Sequence, residues 1–267
     1  MGHDDATRIS NADLVKWRDT MKAEGLSNNT WNNRLSLVSQ VFASAEADSR
    51  IPSNPATGLR LPKAASAERF PYNNEEAALI LAAARKEGRP SVRWAHWIMA
   101  FTGARVGEVL QLAVADIRSE NGIHYLVIDE DAQKGKPVKT GERRHVPIHP
   151  ALIAEGLLGY AASLPSDGPL FPDKKADKNG LRGTKGWQVT GRWIREKVGI
   201  TDERKAPNHS WRHRIEDELR AAGVDESIRD AITGHTRKTT GRQYGIRGED
   251  LRRLSDAINR IPVPEGL

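Results

Sequence analysis

Cysteine is absent from all 267 residues of the chain. Disulfides, thiolate nucleophiles and cysteine-ligated zinc are therefore excluded, and any metal site would need histidines and carboxylates alone. No apolar run approaches the roughly 18 residues that a transmembrane helix requires. The first residues, Met1-Gly-His-Asp-Asp, lack the basic and apolar segments of a signal peptide. We therefore expect a cytoplasmic protein with no membrane partner.

Charge of one sign is in only modest excess. The chain has 41 Lys and Arg against 35 Asp and Glu, a net charge of +6. Residues 131–200 hold 13 basic against 7 acidic side chains and carry the whole excess. This distribution favours a polyanionic partner. A nucleotide-binding GxxxxGK[ST] loop is missing, because the one Gly-Lys pair, Gly135-Lys136, is followed by Pro137.

The spacing of apolar residues predicts a mainly α protein with a small antiparallel sheet, an α+β fold. A first helix should cover 11–24 and a second 30–48, the latter with Leu35, Val38, Val41 and Phe42 on its buried side. An exposed linker should follow at 61–68. Further helices are predicted over 75–87, 92–102, from 105, and over 150–161, 187–198, 210–222, 225–232 and 249–260. Short β-type runs at 123–128 and 144–148 should pair, and 166–186 should form a loop.

A basic cluster leads up to one of only four tyrosines. His209-Ser-Trp-Arg212 is followed by Thr233-Gly-His235 and, nine residues later, by Tyr244. A tyrosine can attack a phosphodiester, but its pKa near 10 leaves a handicap of roughly 4 kcal/mol at pH 7. Cations nearby can offset most of that and stabilise the charge on the phosphorane oxygens. The cluster therefore indicates phosphate chemistry centred on Tyr244.

Two upstream residues could complete such a site. Arg105 begins a helix after a Thr-Gly-Ala turn, where its guanidinium and the helix amino terminus both favour a phosphate. Lys139, at a hairpin tip, could protonate a leaving oxygen, although it could equally be a phosphate contact like its neighbours Lys134 and Lys136. Glu108 lies one turn after Arg105. It would either pair with a neighbouring basic side chain on the surface or orient Arg105 or His209.

Two histidines and three tryptophans each allow a functional and a purely structural interpretation. His209 and His213 have zinc-ligand spacing, but with no cysteine and no obvious third ligand we expect no metal and regard His213 as structural. Trp187, Trp193 and Trp211 could be base-stacking platforms. Trp187 and Trp193 are better explained as helix core, because their helix needs an apolar face.

Taken in order, these segments resemble the tyrosine recombinases of the phage integrase family. Thr102 through Glu108 is similar to that family's first arginine box, and Lys139 through Pro147 to its β-hairpin lysine segment. His209-Ser-Trp-Arg212 matches its His-x-x-Arg box, and Ala222 through His235 matches the segment after that box. Tyr244 lies at the family's usual distance of nine residues from His235. The resemblance covers residues 67–245, and its boxes together are far more specific than any one alone.

The resemblance implies a site-specific recombinase that cleaves and rejoins DNA through a 3′-phosphotyrosyl intermediate and a Holliday junction, with no cofactor. Tyr244 would be the nucleophile and Lys139 would protonate the leaving 5′ oxygen. The phosphate would be held by Arg105, Arg212 and His235, with His209 assisting proton transfer. Other interpretations are a non-cleaving DNA-binding protein of the same fold and a relaxing enzyme like the type IB topoisomerases.

The resemblance also implies a domain plan and partners. Residues 1–62 would be a partial helical, SAM-like DNA-clamping module, 63–72 a linker, and 73–267 the catalytic domain. The family's clamping module usually has four or five helices, so two suggest a fragment or a minimal member. Partners would be double-stranded DNA attachment sites and further copies in a synaptic tetramer, with helix 249–260 folding back or docking on a neighbour. Expected DNA contacts are Thr30, Asn33, Arg34, Lys134, Lys136, Arg143 and Lys238.

The chain departs from the family's pattern at two places near the site. The segment His213-Arg214-Ile-Glu216-Asp is more charged than the usual small and aromatic residues. Thr233 replaces the commoner leucine before Gly234-His235, a change that we expect to be harmless.

Overall fold

The structure is a computed structural model that describes residues 5–63, 68–129, 143–183, 185–234 and 251–267. Its contacts divide the chain into two compact units, 1–68 and 69–267, which are described separately. Within the described ranges, every helix is too short or too polar to cross a membrane.

The small unit is built on two helices, α1 (Asn11–Ala23) and α2 (Asn28–Ala47). Each begins at a serine whose hydroxyl accepts a hydrogen bond from a backbone N–H of the first turn, and Ser10 forms a full capping box with Asp13. The predicted helices are therefore confirmed to within two residues. Their buried face is made of Leu14, Met21, Trp31, Leu35 and Phe42, closed by Ile51, Ala56 and Leu59.

Polar side chains of α2 fix the segment that follows it. The Trp31 indole donates to the carbonyl of Leu59 at 2.9 Å, and the buried amide of Asn32 bonds both the N–H and the carbonyl of Leu61. The prediction for Val41 was wrong: its side chain is 65% exposed, beside Leu37 at 67%. Val41 and Leu37 are four residues apart and share a face, whereas Leu35 and Phe42 define the opposite, buried one.

The large unit is organised around α4 (Pro90–Thr102), which is buried along most of its length. A helix that is apolar on nearly every side belongs inside a core. It packs against α3 (Asn74–Arg85), α5 (Val106–Gln111), α8 (Gly186–Trp193) and α9 (Ser210–Ala221). Pro90 begins α4 at a position where no N–H is needed, and Gly103 ends it in the left-handed region, at φ 63°.

A three-stranded antiparallel sheet follows, in the order β1 (Ile117–Glu120), β2 (Ile123–Asp129), β3 (Arg143–Pro147). Leu126 pairs with Val146 and Ile128 with Arg144, so the predicted pairing of the two apolar runs is confirmed. The strand β1 was not predicted. Its Ile-Arg-Ser-Glu sequence is short and half-charged, and a tight turn with Asn121 and Gly122 at positive φ supplies its pairing with β2.

The remaining helices surround this core. The predicted helix 150–161 is two helices, α6 (Pro150–Ala154) and α7 (Leu157–Ala162), because Gly156 lies between them at φ 97°. The helix α8 continues as a π-helical turn over Ile194–Val198. Then come α9, α10 (Glu226–Thr233) and α11 (Leu251–Ile258). The predicted mainly α fold with a small antiparallel sheet is confirmed.

The helix α11 packs on its own unit. Leu254, Ala257 and Ile258 are buried, and the chain beyond them is held by His149, whose Nε2 donates to the Ile261 carbonyl at 3.0 Å. The other ring nitrogen, Nδ1, accepts from the N–H of Ala151, which assigns the tautomer. Helix 249–260 was predicted either to fold back or to dock on a neighbour. Its described residues pack on their own unit, and docking on a neighbour stays a prediction.

His96 on α4 should make the fold sensitive to acid. Its side chain is fully buried, stacks on Trp193, and accepts a long 3.4 Å hydrogen bond from the Trp211 indole. Burial lowers the pKa of His96 from 6.5 to about 3. As the pH falls, His96 is therefore protonated in the unfolded chain at a higher pH than in the folded chain. The contribution of His96 to the free energy of unfolding is intact above pH 6.5 and is lost progressively towards pH 3.

The expected loss from His96 alone is about 2 kcal/mol between pH 7 and pH 5. Urea unfolding of wild type and His96→Gln at both pH values measures it. Other groups titrate equally in both proteins, so the variant should lose about 2 kcal/mol less than wild type. Equal losses in the two proteins would show that His96 is not buried in its neutral form.

Candidate active site

The turn between α4 and α5 places Arg105. Thr102 is fully buried and its hydroxyl accepts from the N–H of Ala104 at 3.1 Å, while Gly103 turns the chain. A β-carbon on Gly103 would lie 3.2–3.3 Å from Thr233 and Ile215, so this glycine also allows α9 and α10 to approach the turn. Arg105 is then the N-cap of α5, half-buried, with its side chain 40% exposed.

Glu108 lies under Arg105 and is completely covered. Its carboxylate accepts from the Arg105 backbone N–H and from the Arg105 guanidinium, each at 2.8 Å. A second guanidinium, that of Arg144 on β3, reaches the same carboxylate at 2.5 Å and 3.4 Å. Burial alone would raise the pKa of Glu108, but Arg144 and Arg105 together hold it below its ordinary value. Glu108 is thus a buried anion between two cations. Of the two predicted alternatives, a pairing on the surface was wrong, whereas an orienting contact with Arg105 agrees with this geometry.

The second predicted arginine, Arg212, lies in the first turn of α9. The side chain of its neighbour Trp211 is buried against Tyr72, whose hydroxyl donates to the Pro207 carbonyl at 2.7 Å, and this anchors the start of the helix. Arg212 is 2% exposed, and its Nη1 donates to the carbonyl of Gly103 at 3.0 Å. The structure therefore brings Arg212 to the turn that presents Arg105, more than a hundred residues earlier in the chain.

Positive charge is concentrated at this point. Burial, and then the nearby Arg105 and Arg144, lower the pKa of Arg212 to about 10. It remains charged at neutral pH. Two carboxylates, Glu108 and Glu216, act on Arg212 in the opposite direction but do not offset its burial and the two arginines. Strongly perturbed groups of this kind cluster at functional sites.

His209 and His213 lie next to Arg212 at the start of α9. His209 is the N-cap residue and is exposed, while His213 is half-buried one turn later. Their rings meet edge to face with centroids 4.8 Å apart. Among the described residues, no group of three or more His, Asp or Glu side chains is arranged to hold a metal ion.

The charged segment after Arg212 has a local structural explanation. Glu216 accepts from the Thr233 hydroxyl at 2.7 Å and lies 3.8 Å from Arg229 of α10. Arg214 is buried and donates to the Tyr72 carbonyl and to Asn74. A threonine at 233 therefore gives α10 a polar attachment to α9, where a leucine would give an apolar one.

Several predicted residues lie outside the described part of the chain. They are Lys134, Lys136, Lys139, His235, Lys238 and Tyr244. Of the other predicted DNA contacts, Arg143 is 55% exposed and 3.6 Å from Asp129. Thr30, Asn33 and Arg34 lie on the first half of α2 in the small unit, with Asn33 and Arg34 exposed. The structure thus brings Arg212 to the turn that presents Arg105 and places His209 at the start of the helix that carries Arg212. The DNA-contact predictions stay predictions.

Two features near Arg105 escaped the sequence interpretation. Arg144 was treated only as a strand residue, although an arginine at an otherwise apolar β position is a signal that its side chain has a buried anionic partner. Trp187 was predicted as helix core but is 58% exposed. With Arg105, Val106, Gly107, Gln111, Leu181 and Gly183 it lines a cleft of about 220 Å³. Trp193, on the opposite face of α8, is buried as predicted.

Removing the central carboxylate should destabilise the large unit. Glu108→Ala leaves the largely buried Arg144 without its anion, and loss of one partner of such a pair costs about 3–5 kcal/mol. Urea unfolding at pH 7 measures this. Asp217→Ala removes a carboxylate from an exposed pair with Arg220 and should cost under about 1 kcal/mol. Similar losses for the two variants would rule out a buried charge network at Glu108.

Comparison with known proteins identifies the family. The sequence model of the phage integrase family matches residues 72–246. No curated protein matches the chain. Solved structures share its fold, and three of them are compared with the chain as examples. A lambda integrase dimer bound to a COC′ core site is 20% identical over 94% of this chain and 84% of that chain, with a TM-score of 0.63.

The other two structures have the same fold. XerH site-specific recombinase, bound to palindromic difH substrate, is 22% identical over 96% of this chain and 73% of that chain, with a TM-score of 0.62. The integrase from mycobacterium phage Brujita is 20% identical over 96% and 79%, with a TM-score of 0.53. Since the family model spans well over half of the sequence, the chain belongs to the phage integrase family, the tyrosine recombinases.

Proposed function

We propose that this protein is a site-specific DNA recombinase that cleaves and rejoins DNA strands through a covalent 3′-phosphotyrosyl intermediate. One observation carries the proposal. Arg212 is buried, is charged at neutral pH, and donates to a carbonyl of the turn that presents Arg105. Two guanidinium groups held together in this way are suited to the non-bridging oxygens of a single phosphate. Family membership agrees with this chemistry.

The proposed roles are those that the resemblance to the phage integrase family implies for each side chain. Tyr244 attacks the scissile phosphorus, forms the 3′-phosphotyrosyl bond and releases a 5′-hydroxyl. Lys139 gives a proton to that leaving oxygen. Arg105, Arg212 and His235 stabilise the charge on the phosphorane oxygens, with His209 assisting proton transfer. A second strand's 5′-hydroxyl then attacks the phosphotyrosine, so the bond energy is kept and ATP is not required.

The proposed partner is double-stranded DNA, with further copies of the chain assembled on it. Solved relatives include a lambda integrase tetramer bound to a Holliday junction and the Tn1549 transposon integrase in complex with circular intermediate DNA. For this chain we propose a tetramer on paired attachment sites. The small unit, with Thr30, Asn33 and Arg34 on α2, would hold the DNA together with Lys134, Lys136, Arg143 and Lys238.

A nicked suicide substrate tests the proposal. The nick lies just 3′ of the scissile phosphate, so cleavage releases a short oligonucleotide and traps the covalent complex. We propose that a mobile element carries the gene, and DNA from the boundaries of that element is compared with scrambled DNA of equal length on a denaturing gel. A covalent adduct on the element's DNA, and not on the scrambled DNA, is the expected result.

Two other outcomes would replace the proposal. Specific binding to the boundary DNA with no adduct would indicate a DNA-binding protein of the same fold that does not cleave. Equal adducts on both DNAs, together with relaxation of supercoiled plasmid, would indicate an enzyme like the type IB topoisomerases.

A further inference from the structure

Arg144 is the one side chain among the described residues that bonds both the carboxylate beneath Arg105 and the carboxyl end of α10. It lies on β3 with its side chain 10% exposed. Its Nη2 donates to Glu108 Oε2 at 2.5 Å, and its Nε donates to the Ile232 carbonyl at 3.2 Å. One planar guanidinium therefore bridges α5, β3 and α10.

The carboxylate of Glu108 is shared by Arg144 and Arg105 and couples their positions. Each oxygen of Glu108 accepts from both arginines: Oε1 from the two guanidinium groups, and Oε2 from the Arg105 backbone N–H and the Arg144 guanidinium. Glu108 cannot rotate to follow one arginine without weakening its bonds to the other. Arg144 thereby restricts where Arg105 can place its guanidinium.

The bond to α10 holds the end of a second helix. Ile232 is in the last turn of α10, where carbonyls have no partner within the helix and a cation is favourable. Three residues later the chain reaches His235. Arg144 is itself five residues after Lys139, on the strand that returns from the hairpin.

We propose that Arg144 is a positioning residue, which holds the Arg105–Glu108 pair and the end of α10 in one fixed arrangement for catalysis. It touches no reacting atom in this account. The inference rests on the proposed DNA cleavage, and it predicts that Arg144 affects the rate of cleavage rather than the affinity for DNA.

The chain offers a matched control in a second triad of the same composition. Glu155, 6% exposed, accepts from Arg85 at 2.8 Å and from Arg93 at 2.9 Å. This triad joins α3, α4 and the end of α6, and none of its members has a proposed role in cleavage. Arg93→Met therefore breaks a similar arginine–glutamate–arginine contact with a structural function only.

The test compares Arg144→Met, Arg144→Lys and Arg93→Met in single-turnover cleavage of the suicide substrate, with DNA affinity measured in parallel. We expect Arg144→Met to cleave at least about tenfold more slowly, with a Kd for DNA within about threefold of wild type. Arg144→Lys keeps the charge but cannot make all the bonds, so its rate should lie between. Arg93→Met should cleave at the wild-type rate.

Several results would overturn the inference. They are a rate for Arg144→Met within about twofold of wild type, an equal loss of rate in Arg93→Met, and a loss confined to DNA affinity. If Arg144→Met does not fold, Arg144→Lys decides, with a wild-type rate contradicting the proposal.

A cycle of unfolding equilibria separates this inference from the proposed function. The effect of Arg144→Met on the folding equilibrium constant should change at least about fivefold when Arg105→Met is already present, because the two share Glu108. Additive effects within about twofold would overturn the coupling, whether or not the protein cleaves DNA. Absence of an adduct from wild type, with the coupling intact, would instead count against the proposed function.

Discussion

Tyr244→Phe should abolish formation of the covalent DNA adduct while leaving DNA binding intact. The substitution removes only the phenolic oxygen, which in the proposed mechanism is the sole nucleophile toward the scissile phosphate. A group that forms the covalent bond cannot be replaced by its neighbours, so the loss should be complete rather than partial. Adduct formation on the suicide substrate and affinity for the same DNA measure the two effects.

Tyr125→Phe is the matched control. Tyr125 lies on β2, is 6% exposed, and contacts the ring of His145. The same oxygen is removed from a tyrosine with no proposed role, so adduct yield should equal that of wild type. If the adduct survived Tyr244→Phe and disappeared in another tyrosine variant, the nucleophile would have been assigned to the wrong residue.

Arg212→Ala should reduce the cleavage rate at least about 100-fold, which corresponds to about 3 kcal/mol of transition-state stabilisation. The guanidinium is fixed by burial and by its 3.0 Å bond to the Gly103 carbonyl, so it requires no rearrangement when charge develops on the phosphate. Removal of a preorganised donor of this kind cannot be compensated by water in a closed site. Single-turnover cleavage under saturating DNA isolates the chemical step.

Arg214, two residues further along α9, provides the control for Arg212. It is also buried, but its guanidinium bonds the Tyr72 carbonyl and Asn74, away from the site. Arg214→Ala should lower the unfolding midpoint and leave the cleavage rate of the folded protein within about threefold of wild type. A loss under tenfold in Arg212→Ala, or equal losses in both variants, would contradict the assignment of Arg212 to the phosphate.

The spacing of apolar residues predicted the helix positions correctly. The predicted starts at 11, 30 and 92 lie within two residues of the observed starts, where the structure shows Ser10, Ser27 and Pro90 at the helix beginnings. The failures have physical reasons. Gly156 divides one apolar run into two helices, and β1 depends on pairing with β2 rather than on its own composition. Val41 and Trp187 show that an apolar residue on an amphipathic helix is not always on the buried face.

The candidate site was predictable to the extent that its residues belong to recognisable boxes. Arg105, His209 and Arg212 were identified in this way, and the structure brings Arg212, with His209 at the start of its helix, to the turn that presents Arg105. The second partner of Glu108 could not be identified, because the contact with Arg144 joins segments 36 residues apart in the sequence and depends on the register of β3 against β2. The lowered pKa of Arg212 is likewise a property of the folded arrangement. The groups that lower this pKa come from separate segments of the chain, so no single segment predicts it.

The most direct measurement of the central claim is the chemical identity of the bond in the trapped adduct. The adduct would be digested with protease and nuclease, and the peptide that carries a nucleotide sequenced by mass spectrometry. We predict a 3′-phosphate linked to the oxygen of Tyr244, with a free 5′-hydroxyl on the released strand. A phosphate on any other residue, or a 5′-phosphate linkage to Tyr244, would contradict it.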